Sequence, residues 1–438
     1  MSISSIVFIL LFFSGCVASL LVSPFYGILL YALSYFLNPA SRWWFHQVPD
    51  LRFSLLPMLV IVAGYFFNWK KFDGNSIANA PQTKWLVMMT LTVLLSSAWA
   101  VNPNINHILT VRYIKYVIFA FFLYKIVDSP KRMEWFLTIY CAGIFYVSWF
   151  SWQMGRTGHG RIERTGAPDS PDVNTAAAMV VTAVPLLLFY LLYGRNKWIK
   201  GGALISLTFV LNCLVLMSSR GAFLALIASC VYFTGYALTF SQVSKGIKLK
   251  IVIGVIIGTG LFFYLADAVF WDRVATLKNL DTKTGTATRV NFWIATFDML
   301  NNHLLGLGGG GYETLSPNYL PPEWLTKGGS VVGKRSVHSL WFEVLAAFGY
   351  HGLLIFLGYI SSNFFLMRKL RKYFIQQGAE VYLFLQSVAL EAAFVAFLAA
   401  STFINRFYSE ILYWMPAMIA AYANIYMIKP QRESSKKV

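Results

Sequence analysis

Three residues in this chain have side chains suited to group transfer at a phosphate. His338 stands in Arg335-Ser-Val-His-Ser-Leu-Trp341, where a long polar stretch gives way to an apolar run. Imidazole is the side chain best matched to accepting a proton near neutral pH, and a polar group at the edge of an apolar run needs a partner or a role. Arg220 lies in Ser218-Ser-Arg-Gly-Ala222, which interrupts two apolar runs with almost no loop. Arg289 lies in Thr286-Ala-Thr-Arg-Val-Asn-Phe-Trp293, and the apolar spacing from Val290 to Phe297 predicts an amphipathic helix with Arg289 in its first turn. A guanidinium fork fits phosphate oxygens two at a time, and a helix start adds free backbone N–H groups. The plainer readings are a hydrogen-bonded histidine at a helix start, an arginine marking a turn, and a solvated surface charge. Glu343, five residues after His338, turns well away from it on a helix and is no obvious orienting partner.

Further donors cluster elsewhere. Gly155-Arg-Thr-Gly-His-Gly-Arg-Ile-Glu-Arg-Thr-Gly166 offers Arg161 and Arg164, and Asn174 follows it. Arg112 and Lys115 are one helical turn apart, and Arg335 shares the stretch that contains His338. These six are candidate contacts to a sugar or phosphate. Gly306-Leu-Gly-Gly-Gly-Gly311 has neither the Lys-Ser/Thr nor the preceding strand of a P-loop, so it reads as tight, flexible backbone.

The elements that must position these residues are helices in a membrane. Of 438 residues 57% are hydrophobic and only 12% charged, against about 25% charged in soluble domains. A span needs about 20 apolar residues. Candidate runs are 5–22, 24–37, 53–67, 85–100, 109–127, 134–152, 175–193, 202–217, 220–240, 250–269, 337–366, 381–402 and 411–428. Twelve or thirteen spans fit, twelve if one hairpin near the N-terminus does not cross. The runs are continuous rather than alternating, which argues against a β-barrel. The expectation is an all-α polytopic protein, one integral membrane unit over 1–438, with a large polar loop at 270–336 containing short amphipathic helices. The four cysteines fall inside apolar runs without metal spacing. The first run lacks a basic lead, so it reads as a retained span rather than a signal peptide.

Charge orients the bundle. The net charge of +18 lies in short loops, which suits lipid headgroups and phosphate-bearing substrates and not nucleic acid. Lysine-rich loops all fall on one face if the spans alternate, and that face reads as cytoplasmic. Segments 38–52, 101–108, 153–174, 218–219, 270–336 and 403–410 then share the outer face. Its arginines are Arg42, Arg52, Arg156, Arg161, Arg164, Arg220, Arg273, Arg289, Arg335 and Arg406. Asp267 and Glu391 read as the only acidic residues deep in spans.

Ser-Arg-Gly between spans, Thr-Arg-Val-Asn-Phe-Trp in a large outer loop, a Gly-Gly-Gly-Gly-Tyr stretch and Val-His-Ser-Leu-Trp opening the next span resemble the O-antigen ligase/polymerase superfamily. Leu37-Asn-Pro39, Arg112-Tyr-Ile-Lys-Tyr116 and Arg164-Thr-Gly-Ala-Pro168 with Asn174 look closest to the exosortase-associated putative O-glycosylation ligases. The resemblance implies a GT-C-like architecture in the bacterial inner membrane. It implies inverting transfer of a glycan from undecaprenyl diphosphate to a hydroxyl of a glycan, lipid A core or protein acceptor, without a required metal, nucleotide or other cofactor. The family's histidine matches His338, and its two functional arginines match Arg220 and Arg289. Ser339 follows His338 where many relatives have Asn, so no acceptor type carries over. A polymerase that uses a second lipid-linked glycan stays open beside the ligase. A transporter is the reading from another class, although no internal repeat supports it.

Overall fold

The computed structural model describes residues 1–49, 51–72, 74–156, 162, 165–170, 172–266, 268–275, 286–327, 330–331 and 333–435. Its helices are α1 (Ile3–Leu21), α2 (Pro24–Leu37), α3 (Leu55–Phe67), α4 (Gln82–Leu95), α5 (Pro103–Ile126) and α6 (Pro130–Met154). There follow α7 (Val173–Val180), α8 (Ala183–Tyr193), α9 (Lys197–Met217), α10 (Arg220–Thr239), α11 (Lys245–Leu265) and α12 (Ala268–Ala275). The last are α13 (Thr286–Asn302), α14 (Gly311–Tyr319), α15 (Leu340–Gln376), α16 (Val381–Ser401), α17 (Glu410–Ala423) and α18 (Lys429–Ser435). A two-residue antiparallel ladder, Thr326–Lys327 with Ser330–Val331, is the only strand pairing among the described residues.

The protein is an all-α, multi-pass membrane protein. Every expected apolar run forms helix, but ten segments rather than twelve or thirteen reach spanning length among the described residues. Helices α2, α3 and α4 have 14, 13 and 14 residues. At 1.5 Å per residue they cover about 20 Å of a hydrocarbon core about 30 Å thick. The run at 175–193 is itself broken at Val181–Thr182 into α7 and α8.

Local chemistry sets several boundaries. Asn102 caps α5 by accepting from the Ile105 N–H, and Pro103 fills the first helical position, so α5 starts six residues before the expected span. Asp172 and Thr175 form a reciprocal capping box on α7. Ser218 ends α9 in a left-handed conformation, leaving a two-residue junction before α10.

Helices α16 and α17 are apolar and buried on nearly all sides, as expected at the bundle centre. Helix α10 packs most extensively on α16 and buries the small residues Ala222, Ala225 and Ser229, which suit close approach of membrane helices. Helices α1 and α11 instead turn Leu10, Val17, Ile256 and Ile257 outward, a surface suited to lipid and not to water. A second, smaller apolar cluster, with Phe292, Met299, Leu307, Tyr312 and Val337, lies beneath the polar stretch.

The glycine run is a packing seam rather than the flexible backbone expected. Gly349, at φ 63° and ψ −169°, breaks α15 and frees the carbonyls behind it. Leu307 and Gly308 N–H groups donate to Ala346 and Ala347 O at 2.8 and 2.9 Å. A Cβ on Gly306 would stand 2.5 Å from both Ala347 O and Gly349 N, so the two backbones meet only because side chains are absent.

The segments expected on one face do share one end of the bundle. Asn38 Nδ2 donates to Gly166 O, Arg406 Nη1 to Asp169 O, and the Gly309 N–H to Asn106 Oδ1. The Ser339 N–H donates to Asn405 Oδ1.

Candidate active site

Arg220 is the first residue of α10, and Arg289 lies in the first turn of α13. Although remote in sequence, they line the same polar cleft, of about 40 Å³, together with Asn174, Ser218, Ser219 and Ile404. At about 10–15 Å³ per water-sized group, that space holds a few oxygens and not a ring. Ser219 makes no side-chain cap, so the first-turn N–H groups of α10 add positive potential to the cleft. Burial lowers the pKa of the Arg289 guanidinium, and the adjacent Arg220 charge lowers it further; Asp172 offsets part of this. Two guanidinia held together at a helix start are arranged to take an anion.

His338 directly precedes Ser339 and the start of α15. Its backbone is left-handed, φ 53°, which is unusual for a residue with a side chain. Ser336 Oγ lies 3.4 Å from both ring nitrogens. The ring lies 6.2 Å from that of Phe292, and Trp293 Nε1 donates to Val337 O at 3.2 Å. Phe292 is one turn from Arg289 on the same face of α13, so one helix carries both the cleft arginine and the histidine's ring neighbour. On the other side, Ser339 holds Asn405, which follows the cleft residue Ile404.

A second cavity, of about 290 Å³, lies against this one. Arg112, Asp169, Thr175, Glu313, Val337, Glu343, Asn405 and Arg406 are among its lining residues. Consecutive residues face the two spaces: Asn174 and Ile404 the cleft, Thr175 and Asn405 the cavity. Glu343 does turn away from His338, and its Oε2 accepts from the Phe407 N–H at 2.8 Å. Burial raises the pKa of Glu313, and it raises that of Asp169 against the opposing pull of Arg406.

The other expected contacts are scattered. Arg112 reaches the larger cavity and Asn174 the cleft, whereas Lys115 lines neither. Arg335 Nε donates to Trp324 O at 2.6 Å, which ties the polar stretch to itself. Arg161 and Arg164 lie outside the described residues, as does Asp267. The outer arginines also include structural ones: Arg42 stacks 4.0 Å over Phe150 and donates to Leu37 O. Glu391, read with Asp267 as an acidic residue deep in a span, pairs with Arg371, and the buried Glu410 stands in the first turn of α17. Sequence reasoning gave Arg406, Asn405 and Glu313 no individual role. Asn405-Arg406 did carry a signal, a polar pair between apolar runs like Ser219-Arg220.

Residues 205–357, about a third of the chain, match the family model of O-antigen ligases. The matched residues contain Arg220, Arg289 and His338. No curated protein matches the chain.

Proposed function

With the match at residues 205–357 supporting membership of the O-antigen ligase-like superfamily, we propose that this protein is an inverting membrane glycosyltransferase. It takes a glycan from undecaprenyl diphosphate and moves it to an acceptor hydroxyl on the periplasmic face of the inner membrane. The observation that carries this reading is the convergence of Arg220 and Arg289 in one polar cleft at the start of α10.

In this mechanism His338 accepts the proton of the attacking hydroxyl, whose oxygen bonds to the anomeric carbon. The bond from that carbon to the diphosphate breaks, and the lipid diphosphate leaves with the electron pair. Arg220 and Arg289 stabilise the charge that develops on it, the electrostatic contribution that usually dominates such reactions. Attack opposite the leaving group inverts the anomeric centre. The exposed apolar residues of α13, Val290, Ile294 and Phe297, suit a helix lying on the lipid surface beside the donor's tail. The donor is already activated, so no nucleotide or metal takes part. A polymerase that joins two lipid-linked glycans uses the same machinery with a different acceptor.

The test uses purified protein, an undecaprenyl-diphosphate glycan and a panel of acceptors, with EDTA present. Transfer by the parent protein that is lost in His338→Ala and Arg289→Ala supports the reading. One product size indicates a ligase and a ladder a polymerase. Full activity in His338→Ala removes the base assignment, and failure of the parent protein to bind the donor removes the transferase.

A further inference from the structure

The larger cavity has features that the diphosphate cleft lacks. It is several times the cleft's size, and its volume is near the lower end of ligand pockets, which run from about 300 Å³ upward. Its polar residues form two groups. Asn405 Nδ2 approaches Glu313 Oε1 at 3.4 Å, close to Glu343. Arg406 gives one Nη1 hydrogen bond to Asp169 O, with Arg112 nearby.

Arg406 is the telling residue. It is only 3% exposed and lines the cavity, yet its Nε and Nη2 meet no hydrogen-bond partner among the described residues. Buried donors without acceptors are destabilising unless a ligand completes them. Tyr312 and Tyr408 add aromatic surface beside these polar groups. Carboxylates to receive hydroxyl donors, a guanidinium to serve oxygen acceptors and rings to cover C–H faces together describe a site for a polyhydroxylated ring. The carboxyl groups of Asp169 and Glu313 offset the two guanidinia of Arg112 and Arg406, so the cavity presents no net positive charge to select an acidic sugar. Val337 brings the cavity next to His338, and the wall shared at 174–175 and 404–405 brings it next to the arginine cleft.

We infer that this cavity is a subsite for one neutral pyranose residue of a substrate, held by Glu313, Glu343, Asn405 and Arg406. The substrate role rests on the glycosyltransferase reading; the binding of a sugar does not.

Saturation-transfer NMR on the full chain in a sugar-free detergent tests it, with methyl glucoside, methyl galactoside and methyl glucuronide as probes. The parent protein and Arg289→Ala should contact at least one neutral probe. Asn405→Leu and Glu313→Gln should weaken that contact about tenfold, as for one hydrogen bond to a charged group. Glu313→Gln keeps the side chain's shape and is the decisive arm should Asn405→Leu fold poorly. No contact in the parent, undiminished contact in Glu313→Gln, or tighter binding of the glucuronide overturns the inference. In the transfer assay, a raised KM for acceptor or for donor identifies which substrate supplies the ring. Sugar binding by a parent protein that transfers nothing would sink the proposed reaction and leave the subsite standing.

Discussion

Both ends of the bundle contain buried or half-buried charge, and they treat it differently. At the lysine-rich end, Lys125 Nζ donates to the carbonyls of Asn75 and Phe72 at 2.7 and 3.2 Å. Arg132 meets Asp128 at 2.6 Å, and Glu134 accepts from Tyr190, Tyr382 and Gln386. Arg371 pairs with Glu391 deeper in the bundle. Each charge is answered within the fold, as an ionisable group in a membrane requires. At the arginine-rich end, Arg289 faces the like charge of Arg220, and Arg406 keeps two donors unfilled among the described residues. Charge at the first end holds helices together. Charge at the second end is positioned around space.

That contrast can be broken by mutation. The largest expected effect is on turnover: His338→Asn should lower kcat by about 10²–10⁴, the usual span for a general base, with little change in melting temperature. Asn also tolerates the left-handed backbone at this position, so a large loss of stability would show His338 to be structural.

At the other end the effect should move to folding. Arg371→Ala leaves Glu391 unpaired and should destabilise by about 3–5 kcal/mol, measured as a lower melting temperature in detergent. Transfer per folded molecule should be unchanged. Reduced turnover in the folded fraction would blur the division between the two ends.

Arg289→Ala should lower kcat by about 10²–10³ and leave the melting temperature unchanged or raised, because it removes one of two adjacent like charges. A marked loss of stability would mean that Arg289 is answered within the fold after all, like Lys125.

The smallest effect is a pH dependence. Burial raises the carboxyl pKa of Glu313 above its ordinary value of 4.5. Below that ordinary value the group is protonated whether the chain is folded or not, and it adds no pH dependence. As pH rises toward the folded pKa, the unfolded chain ionises first, and stability falls. Glu313→Gln should therefore melt with the parent protein in acid and above it at neutral and alkaline pH. A gap that closes with rising pH would contradict the burial argument. A variant that is more stable yet binds sugar less well would be the expected signature of a residue kept for ligand.

The chain's local features were legible before its structure. The apolar runs became helices, the Ser218-Ser219 junction became a two-residue turn, Arg289 fell in a first helical turn and His338 fell just before a helix. These follow from periodicity and capping, which act over a few residues. Span counting ran ahead of the ten helices of spanning length where an apolar run was short, as in α2 to α4, because composition does not report how far a helix continues before it is capped. The Asn102-Pro103 start of α5 was readable but was outweighed by its polar composition.

What tertiary structure alone decided is the meeting of residues far apart in sequence. Arg220 and Arg289 come to one cleft because α10 packs on α16, which brings Ala400 to the cleft, while Trp293 pins α13 to Val337. The run at 306–311 looks like a loop in sequence. It becomes a seam because Gly349 opens α15 and presents two carbonyls to it. Glu313, Glu343, Asn405 and Arg406 come from three separate segments and are unremarkable one at a time. The sequence by itself determined which segments are helices, which face is rich in arginine and which side chains could do chemistry, since propensity and charge are local. The two cavities exist only through long-range packing, because a space is defined by walls that no single stretch of chain contains.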